Sequence, residues 1–168
     1  MRIGVEIYNA ALSMFDYNPD SGDVTYKFGF GNRHSIGDNA GWYNNRGYLL
    51  FDINGNKLLC HRFGYYCMKG ELPNSVDHIN GIRDDNGWCN LRSCTHAENS
   101  MNRGMNSRNK SGYRGVYKDK RRATWNSEVA IKGIKHTKSG FKTPELANEW
   151  VVNKSKELYG SFYNEERT

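Results

Sequence analysis

The sequence contains no apolar run long enough to cross a membrane and no secretory signal. A membrane-spanning helix needs about eighteen or more consecutive apolar residues, and the 168-residue chain contains no such run. The N-terminal residues reach Glu6 and Asn9 before any long apolar stretch, which is not the pattern of a signal peptide. We therefore expect a protein of the reducing cytoplasm, where disulfide bonds are rare.

The sequence favours neither a zinc site nor a large apolar core as the source of stability. The four cysteines form no C-x-x-C pair of the kind that holds zinc. We expect them to be reduced core residues. Hydrophobic residues make up 37% of the chain, and aromatic residues, at 13%, supply much of the available core. This composition predicts domains of marginal stability.

The positive charge is confined to the last third of the chain. Residues 1–105 contain 10 Lys and Arg against 11 Asp and Glu, a net charge of −1. Residues 106–168 contain 14 against 7, a net charge of +7. This distribution predicts a polyanion-binding module in the C-terminal part. A lysine-rich, solvated surface is the alternative interpretation.

Four polar residues in the middle of the chain can assemble a phosphodiesterase site. Asp77 and His78 are adjacent, Asn90 follows His78 after twelve positions, and Asn99 follows nine positions later. His78 is the candidate general base, because an unperturbed imidazole has a pKa of about 6.5. Asp77 and Asn99 offer hard oxygen ligands suited to one divalent ion, Mg or Mn. Asn90 is predicted to hydrogen-bond the far ring nitrogen of His78 and to set its tautomer. The alternative is that Asn90 only caps a turn.

The segment around these residues predicts a strand, a loop, a second strand and a helix. The first strand is expected at Ser75–Ile79 and the second at Trp88–Ser93. Thr95-His96-Ala97-Glu98 has the pattern of a capping box, so that a helix begins at His96 and Asn99 lies in its first turn.

Other polar residues near this motif have more ordinary interpretations. Asn86 is interpreted as a turn former, and His96 as a surface residue at a helix start. His61-Arg62 is consistent either with packing or with a contact to a DNA backbone. His34 and His136 are given no role.

The remaining patterns predict local structure on both sides of the motif. Residues 1–9 alternate loosely and predict a strand, and Ala10–Tyr17 has helical spacing. Asn54-Gly55 lies between two apolar runs and predicts a type I′ hairpin. His61–Lys69 has apolar residues at helical intervals, and Gly70 suits the end of that helix.

The last third predicts a small sheet followed by a helix. Strand-like runs occupy Gly115–Lys118, Thr124–Ile131 and Ile134–Phe141. Thr143 is a suitable N-cap for the helix that follows, with Pro144 at its first position.

The segment around His78 reads V-D-H-I-N-G, then N-L-R, then T-H-A-E-N. It resembles the HNH endonucleases, in the variant whose last metal ligand is asparagine. Residues 47–62 (G-Y-L-L-F-D-I-N-G-N-K-L-L-C-H-R) resemble the hairpin that precedes the motif in phage and homing members. The resemblance covers roughly residues 12–105 and implies an α+β fold with a ββα-metal (His-Me finger) nuclease domain.

The second resemblance covers about residues 111–163. It is carried by Y-R-G-V at positions 113–116, by Trp125 and by F-K-T-P-E-L-A at positions 141–147. These residues resemble the ethylene-response-factor type of DNA-binding domain, a three-stranded antiparallel sheet plus a helix. The resemblance implies that the free face of the sheet enters the major groove of duplex DNA.

These resemblances imply a domain organisation and a set of DNA contacts. We expect a nuclease domain with its N-terminal lead-in at residues 1–105, a basic linker at 106–111 and a DNA-binding domain at 112–168. The candidate DNA-binding residues are Arg114, Lys118, Arg121, Arg122 and Trp125, with Arg108 and Lys110 from the linker.

The expected function is that of a metal-dependent HNH endonuclease of the phage or homing type. It would cut double-stranded DNA in a bacterial or phage-infected cell and leave 5′-phosphate and 3′-hydroxyl ends. His78 and Asn90 are the catalytic residues, and Asp77 and Asn99 hold the metal. One site per chain implies nicking by a monomer, whereas a double-strand break would need a dimer; no obligate protein partner is evident. The alternatives are a non-catalytic, sequence-specific DNA-binding protein with a decayed nuclease fold, and a structural RNA-binding protein.

Overall fold

A computed structural model describes residues 4–29, 31–101, 109–131, 133–160 and 163 of the chain. The chain divides into two units, Met1–Cys94 and Thr95–Thr168. Both units combine helices with small antiparallel sheets, which confirms a mixed fold class. In the described part of the chain, no helix has the length and apolar character that a membrane span requires.

The first unit is built from two α-helices, a 3-10 turn and seven short strands within its described residues. In chain order they are α1 (Val5–Met14), β1 (Phe15–Tyr17), β2 (Val24–Tyr26), β3 (Trp42–Tyr43), β4 (Leu49–Ile53), β5 (Asn56–Leu59), α2 (Cys60–Lys69), β6 (Ser75–His78), the 3-10 turn (Trp88–Asn90) and β7 (Leu91–Cys94). The strands pair antiparallel as β1–β2, β3–β4–β5 and β6–β7.

The hairpin and the helix before the motif form as the sequence predicts. Asn54 and Gly55 have positive φ angles of 52° and 79°, as a type I′ turn requires. The backbone N–H of Gly55 donates to Asp52 at 2.9 Å, which fixes the turn between β4 and β5. Helix α2 ends at Gly70, where φ is 69°.

The N-terminal segment differs from the prediction. The strand expected at residues 1–9 is wrong for the residues described, because helix α1 begins at Val5. Tyr8 and Ala11, three positions apart, are both buried, whereas Val5 is 47% exposed. The alternation of apolar residues is thus outweighed by the burial that Tyr8 and Ala11 gain together on one face of a helix.

The core of the first unit connects its N-terminal half to the motif. The rings of Phe15 and Phe63 each contact that of Phe51, with centroid separations of 4.7 and 5.1 Å. Helix α2, which carries Phe63, packs against β4 and β5, which precede it in the sequence, and against β6 and β7, which follow it. The pair β6–β7 is held by a separate, smaller cluster, in which Val76 and Leu91 pack with Tyr65 of α2.

The second unit contains the sheet and helix that the sequence predicts. Its elements are α3 (His96–Met101), β8 (Val116–Lys118), β9 (Trp125–Ile131), β10 (Ile134–Phe141) and α4 (Pro144–Tyr159). β9 is the central strand, and both its neighbours are antiparallel to it.

Helix α4 covers one face of this sheet. The side chain of Thr143 accepts a hydrogen bond from Leu146 and caps the helix, and Pro144 occupies its first turn. Ser127 Oγ on β9 donates to the carbonyl oxygen of Ala147 at 2.7 Å. Val116, Val129, Ala147 and Val151 form the core between sheet and helix. The other face of the sheet has no helix of this unit against it among the described residues.

Candidate active site

His78 is buried at the end of β6, and its ring is held by the side chain of Asn86. Its Nε2 lies 3.0 Å from Oδ1 of Asn86. His78 is 4% exposed, and Asn86 is completely buried. Because an amide oxygen can only accept, Nε2 carries a proton in this arrangement, which leaves the lone pair on Nδ1 when the ring is neutral. The pair therefore fixes one tautomer of a buried imidazole.

Asn90 holds the loop that surrounds His78. Its Oδ1 accepts from the backbone N–H of Asn80 at 2.9 Å, and its Nδ2 donates to the carbonyl oxygen of Asp85 at 2.7 Å. The contact to the far ring nitrogen that the sequence predicts for Asn90 is thus made at Nε2 by Asn86. Sequence reasoning missed Asn86 because its D-D-N-G setting is that of a turn, and no spacing rule reveals that the turn folds back on His78.

The loop from Asn80 to Trp88 is braced by the turn between β1 and β2. Tyr17 donates its hydroxyl hydrogen to the carbonyl oxygen of Asn86 at 2.8 Å. The N–H of Trp88 donates to the carbonyl oxygen of Pro19 at 2.7 Å. Gly22, with φ of 77°, lies so close that a Cβ there would overlap the backbone of Asn86. The position of Asn86 therefore depends on a hairpin far away in the sequence.

Asp77, which precedes His78, forms an ion pair with Arg92. Its Oδ2 accepts from Nη2 of Arg92 at 2.8 Å and from Nε at 3.1 Å. The side chains of Asp77 and Arg92 are only 7% and 16% exposed, and the two residues face each other across β6 and β7. Asp77 is therefore part of a largely buried ion pair.

His61 on α2 packs against the ring of His78. The two ring centroids are 4.9 Å apart and the planes meet nearly edge to face, at 68°. The ring of Tyr48 lies 5.4 Å from that of His61, and the guanidinium of Arg83 lies 5.3 Å from the ring of Tyr48. For His61, the structure supports the packing interpretation over a contact with DNA.

The environment of His61 keeps it neutral. Burial, together with the nearby His78 and Arg62, lowers the pKa of His61 to about 3. Its Nδ1 is buried and has no hydrogen-bond partner among the described residues. A neutral His61 adds no positive charge beside the imidazole of His78.

Asn99 belongs to the second unit. It lies in the first turn of α3, and its backbone N–H donates to the carbonyl oxygen of Thr95 at 3.0 Å. The predicted capping box is confirmed: the N–H of Thr95 donates to Oε2 of Glu98 at 2.7 Å, and the N–H of Glu98 donates to Oγ1 of Thr95 at 3.2 Å. Within the described ranges, no group of three or more His, Cys, Asp or Glu residues is arranged to hold a metal ion.

The predicted DNA contacts Lys118 and Trp125 do not lie on the free face of the sheet. They are paired directly across β8 and β9, two positions from Val116 and Ser127, whose side chains face α4. Trp125 packs against the core of the second unit, and Nζ of Lys118 lies 6.0 Å from the centre of its ring. Lys118 and Trp125 therefore lie on the side of the sheet that faces α4, and their role as DNA contacts stays a prediction.

The other predicted DNA contacts have different positions. Arg114 is half-buried near Tyr159 of α4: burial raises the pKa of Tyr159, and the charge of Arg114 opposes that rise. Arg121 and Arg122 lie in the turn between β8 and β9, and their backbone N–H groups bind Oδ1 of Asp119. Lys110 is exposed. Arg108 lies outside the described residues.

Comparison with known proteins adds a family match. Residues 59–101, which include β6, β7 and α3, match the family model described as HNH endonuclease. A protein named as an uncharacterized HNH endonuclease of Acanthamoeba polyphaga mimivirus is 31% identical over 124 residues, which cover 72% of this chain and 64% of that protein. This chain thus spans less than two thirds of the length of that relative.

A second relative is covered more fully. Protein 3.8 of Escherichia phage T7 is 31% identical over 97 residues, which cover 55% of this chain and 78% of that protein. No solved structure matches the chain. The family match ends at residue 101, so the resemblance of the following residues to ethylene-response-factor domains stays a prediction.

Proposed function

We propose that the chain, whose residues 59–101 match the family model described as HNH endonuclease, is a metal-dependent DNA endonuclease of that family. The proposed reaction is hydrolysis of one phosphodiester bond, with 5′-phosphate and 3′-hydroxyl products. The proposed substrate is double-stranded DNA, and one site per chain would cut one strand.

The observation that carries this proposal is the buried pair of His78 and Asn86 within the segment that matches the family. Nε2 of His78 is 3.0 Å from Oδ1 of Asn86, so the tautomer of the ring is set and its lone pair is on Nδ1. A base that is oriented before the substrate binds lowers the barrier, because no free energy is needed to order it. General-base catalysis of this kind contributes about a hundredfold to ten-thousandfold in rate.

The proposed chemistry is an in-line displacement. Nδ1 of His78 takes a proton from a water molecule while the water oxygen attacks phosphorus. The bond from phosphorus to the 3′ oxygen breaks, and that oxygen then acquires a proton from solvent. His78 returns its proton to solvent after the products leave.

The donor set of Asp77 and Asn99 fits a hard divalent ion. A carboxylate and an amide oxygen are ligands that Mg²⁺ and Mn²⁺ accept, and Mg²⁺ usually completes its shell with water and substrate phosphates rather than with an all-protein cage. When bound, such an ion would stabilise the negative charge that develops on the phosphate and on the leaving oxygen.

Arg92 affects how Asp77 can act in this proposal. The carboxylate is neutralised by Arg92 at 2.8 Å, so a cation and Arg92 would share Asp77 or compete for it. An arginine at this position can also contact a phosphate oxygen, because its planar group suits bidentate anion binding. We propose that Arg92 holds Asp77 in place and contributes to binding the scissile phosphate.

The second unit is proposed to hold the DNA. Its sequence carries the excess positive charge of the chain, and phosphate contacts by Lys and Arg dominate the affinity of most DNA-binding proteins. Its sheet and helix are in keeping with the resemblance to ethylene-response-factor domains. Arg114, Lys118, Arg121, Arg122, Trp125, Arg108 and Lys110 remain the candidate contacts.

The alternative function is DNA binding without catalysis. The observation that favours it is the ion pair between Asp77 and Arg92, which occupies the proposed metal ligand with a cation of the chain itself. A decayed nuclease would keep the second unit and lose the use of Asp77.

Plasmid relaxation by the purified chain distinguishes the two functions. We expect it to nick supercoiled DNA with Mg²⁺ or Mn²⁺ and to stop when a chelator is added. His78→Ala is expected to abolish nicking and keep DNA affinity. His34→Ala is the matched control, because His34 is exposed and stacks on Tyr26 in the same unit. Normal nicking by a correctly folded His78→Ala variant would reject His78 as the base.

A further inference from the structure

The positive side chains of the second unit are not equivalent. Lys135 and Lys154 are each paired with a glutamate, at 3.0 and 2.8 Å. The cations at the β8–β9 end of the sheet lie in no salt bridge to any described residue. They are Lys110, Lys118, Lys120, Arg121 and Arg122, all exposed. This end of the unit therefore has positive charge available for an anionic ligand.

The turn between β8 and β9 is built so that its one acidic residue faces inward. Oδ1 of Asp119 accepts from the backbone N–H groups of Arg121 and Arg122 at 2.8 and 3.1 Å, and Oδ2 accepts from Nδ2 of Asn126 at 3.3 Å. These bonds, first among them the one from Arg121, lower the pKa of Asp119. The carboxylate thus orders the turn while the side chains of Lys120, Arg121 and Arg122 stay exposed.

The described residues on the free face of β9 and β10 offer no net positive charge. The register places Asn126, Glu128 and Ala130 of β9 on this face, opposite Ser139, Thr137 and Lys135 of β10. Its charges are those of Glu128 and Lys135, and they form an ion pair. A polyanion approaching this face meets no net positive charge from the two strands.

A groove runs along the outer edge of β8, next to the cationic turn. One wall is the segment Asn109–Ser111, and the other is formed by Val116, Tyr117 and Lys118 with Trp125. The groove has a volume of about 610 Å³. Ser111 Oγ donates to the carbonyl oxygen of Val116 at 2.8 Å, and Nδ2 of Asn109 donates to that of Tyr113 at 2.6 Å, so the first wall is tied to the strand. A volume of this size admits a ligand as large as a nucleotide.

The lining of the groove determines which ligand suits it. Two aromatic residues and a valine present apolar surface, Lys110 and Lys118 supply positive charge, and no acidic residue lines the groove. A duplex keeps its bases paired and stacked, and would offer this groove only phosphate and sugar. An unpaired nucleotide offers a base to the aromatic surface and a phosphate to the lysines, the combination by which proteins hold single strands.

We propose that the groove beside β8 binds an unpaired nucleotide of a DNA strand whose phosphates follow the cationic turn at residues 120–122. This deepens the proposed function and rests on it, since it assigns to the second unit a part of the substrate that is not base-paired. The contact surface is the β8–β9 end of the unit rather than the free face of the sheet.

Binding in a chelator tests this proposal without any cleavage. The full chain is titrated, by fluorescence anisotropy, against a labelled oligothymidine strand, an abasic strand of equal length and a duplex of equal length. We expect the oligothymidine to bind roughly tenfold more tightly than the abasic strand, the size of effect that stacking of one base gives. Equal affinity for the oligothymidine and the abasic strand would overturn the proposal, whereas the duplex measures the affinity that phosphate contacts give without an unpaired base.

Variants at the groove separate the affinity that comes from base stacking from the affinity that comes from phosphate contacts. Trp125→Leu is expected to remove the preference for bases, and Trp125→Tyr to keep it, with circular dichroism confirming that both variants fold. Lys118→Ala is expected to reduce the slope of log affinity against log salt by about 0.7 for a single strand. Lys135→Ala is the matched control, with the same loss of charge at a residue paired to Glu128. An equal effect of Lys118→Ala and Lys135→Ala contradicts the assignment.

These outcomes are independent of the nuclease assay. A chain that nicks plasmid but binds both single strands equally keeps the proposed function and loses this inference. A chain that prefers bases in the groove but never cuts DNA keeps the inference as a binding property and loses the catalytic proposal.

Discussion

At the scale of single residues, the main finding is the exchange of roles between Asn86 and Asn90. The spacing from His78 predicted that Asn90 reaches the far ring nitrogen and that Asn86 only forms a turn, whereas Asn86 makes the contact to Nε2. That contact depends on how the loop from Asn80 to Trp88 closes, which is decided by hydrogen bonds made after the chain has folded back. Asp77 and His78 could be recognised from sequence, whereas the ion pair of Asp77 with Arg92 follows from the register of β6 and β7.

Asn86→Ala is expected to lower kcat about tenfold to a hundredfold, the usual effect of removing a side chain that orients a functional histidine. KM should change little, because Asn86 is buried and does not reach the substrate. Steady-state kinetics on a defined oligonucleotide measure both constants. Asn86→Asp should recover part of the rate, since a carboxylate also accepts from Nε2. Asn44→Ala, which removes an amide from another turn, is the control. A fall in kcat of the same size for both alanine variants would show that Asn86 is only structural.

His61→Phe is expected to make the protein less sensitive to acid. The pKa of His61 is about 3 when folded and about 6.5 when unfolded, so the unfolded chain binds the extra proton between these values. The free energy of unfolding therefore falls as pH decreases below about 6.5, by up to about 1.4 kcal/mol per pH unit from this residue. Above about pH 6.5 the free energy of unfolding no longer depends on the protonation of His61.

Urea denaturation at pH 7.5 and pH 5.0 measures this effect. The loss of stability between the two pH values should be smaller in His61→Phe than in the wild type. An identical loss in both proteins would mean that His61 is protonated in the folded state or exposed to solvent.

At the scale of elements, local sequence signals were reliable where turn chemistry or capping decides the structure. The hairpin β4–β5, the end of α2, the capping box of α3 and the start of α4 each follow from two or three residues. The N-terminal helix and the 3-10 turn at Trp88–Asn90 were not predicted. Their form depends on burial of Tyr8 and Ala11 and on the N–H of Trp88 binding Pro19, which are tertiary contacts.

Gly22→Ala tests the brace between the β1–β2 turn and the active loop. A residue with a side chain at φ of 77° is strained by about 1–3 kcal/mol, and here the Cβ also overlaps the backbone of Asn86. We expect a loss of stability in urea denaturation and a fall in kcat, because Asn86 must move. Gly47→Ala is the control: φ is 78°, but no atom lies within 4 Å of the added Cβ. If both variants lose stability equally and neither loses activity, the brace has no role in the site.

At the scale of the whole molecule, charge distinguishes the two units, and their bounds differ from those of the predicted domains. The excess of Lys and Arg after residue 105 marks one unit as different from the other. The division between the units, however, falls at Cys94 and Thr95, so that Asn99 belongs to the second unit. The register turns Lys118 and Trp125 towards α4, which the sequence did not predict.

If His78 is the general base, as we propose, the chain is expected to nick DNA as a monomer. The initial rate should then rise with the first power of protein concentration, and nicked circles should accumulate before linear DNA appears. Gel analysis of plasmid over a range of protein concentrations measures both. A rate that rises with the square of concentration, with linear DNA as the first product, would instead show that two chains act together.

The bond from the hydroxyl of Tyr17 to the carbonyl oxygen of Asn86 joins residues 69 positions apart. Contacts between distant parts of a chain form late, because they require a large loop to close. The geometry around the imidazole is therefore completed only when nearly all of the first unit has been synthesised and folded. A partly made chain already holds many of the residues around His78 but not their arrangement, which is acquired only when the first unit completes its folding.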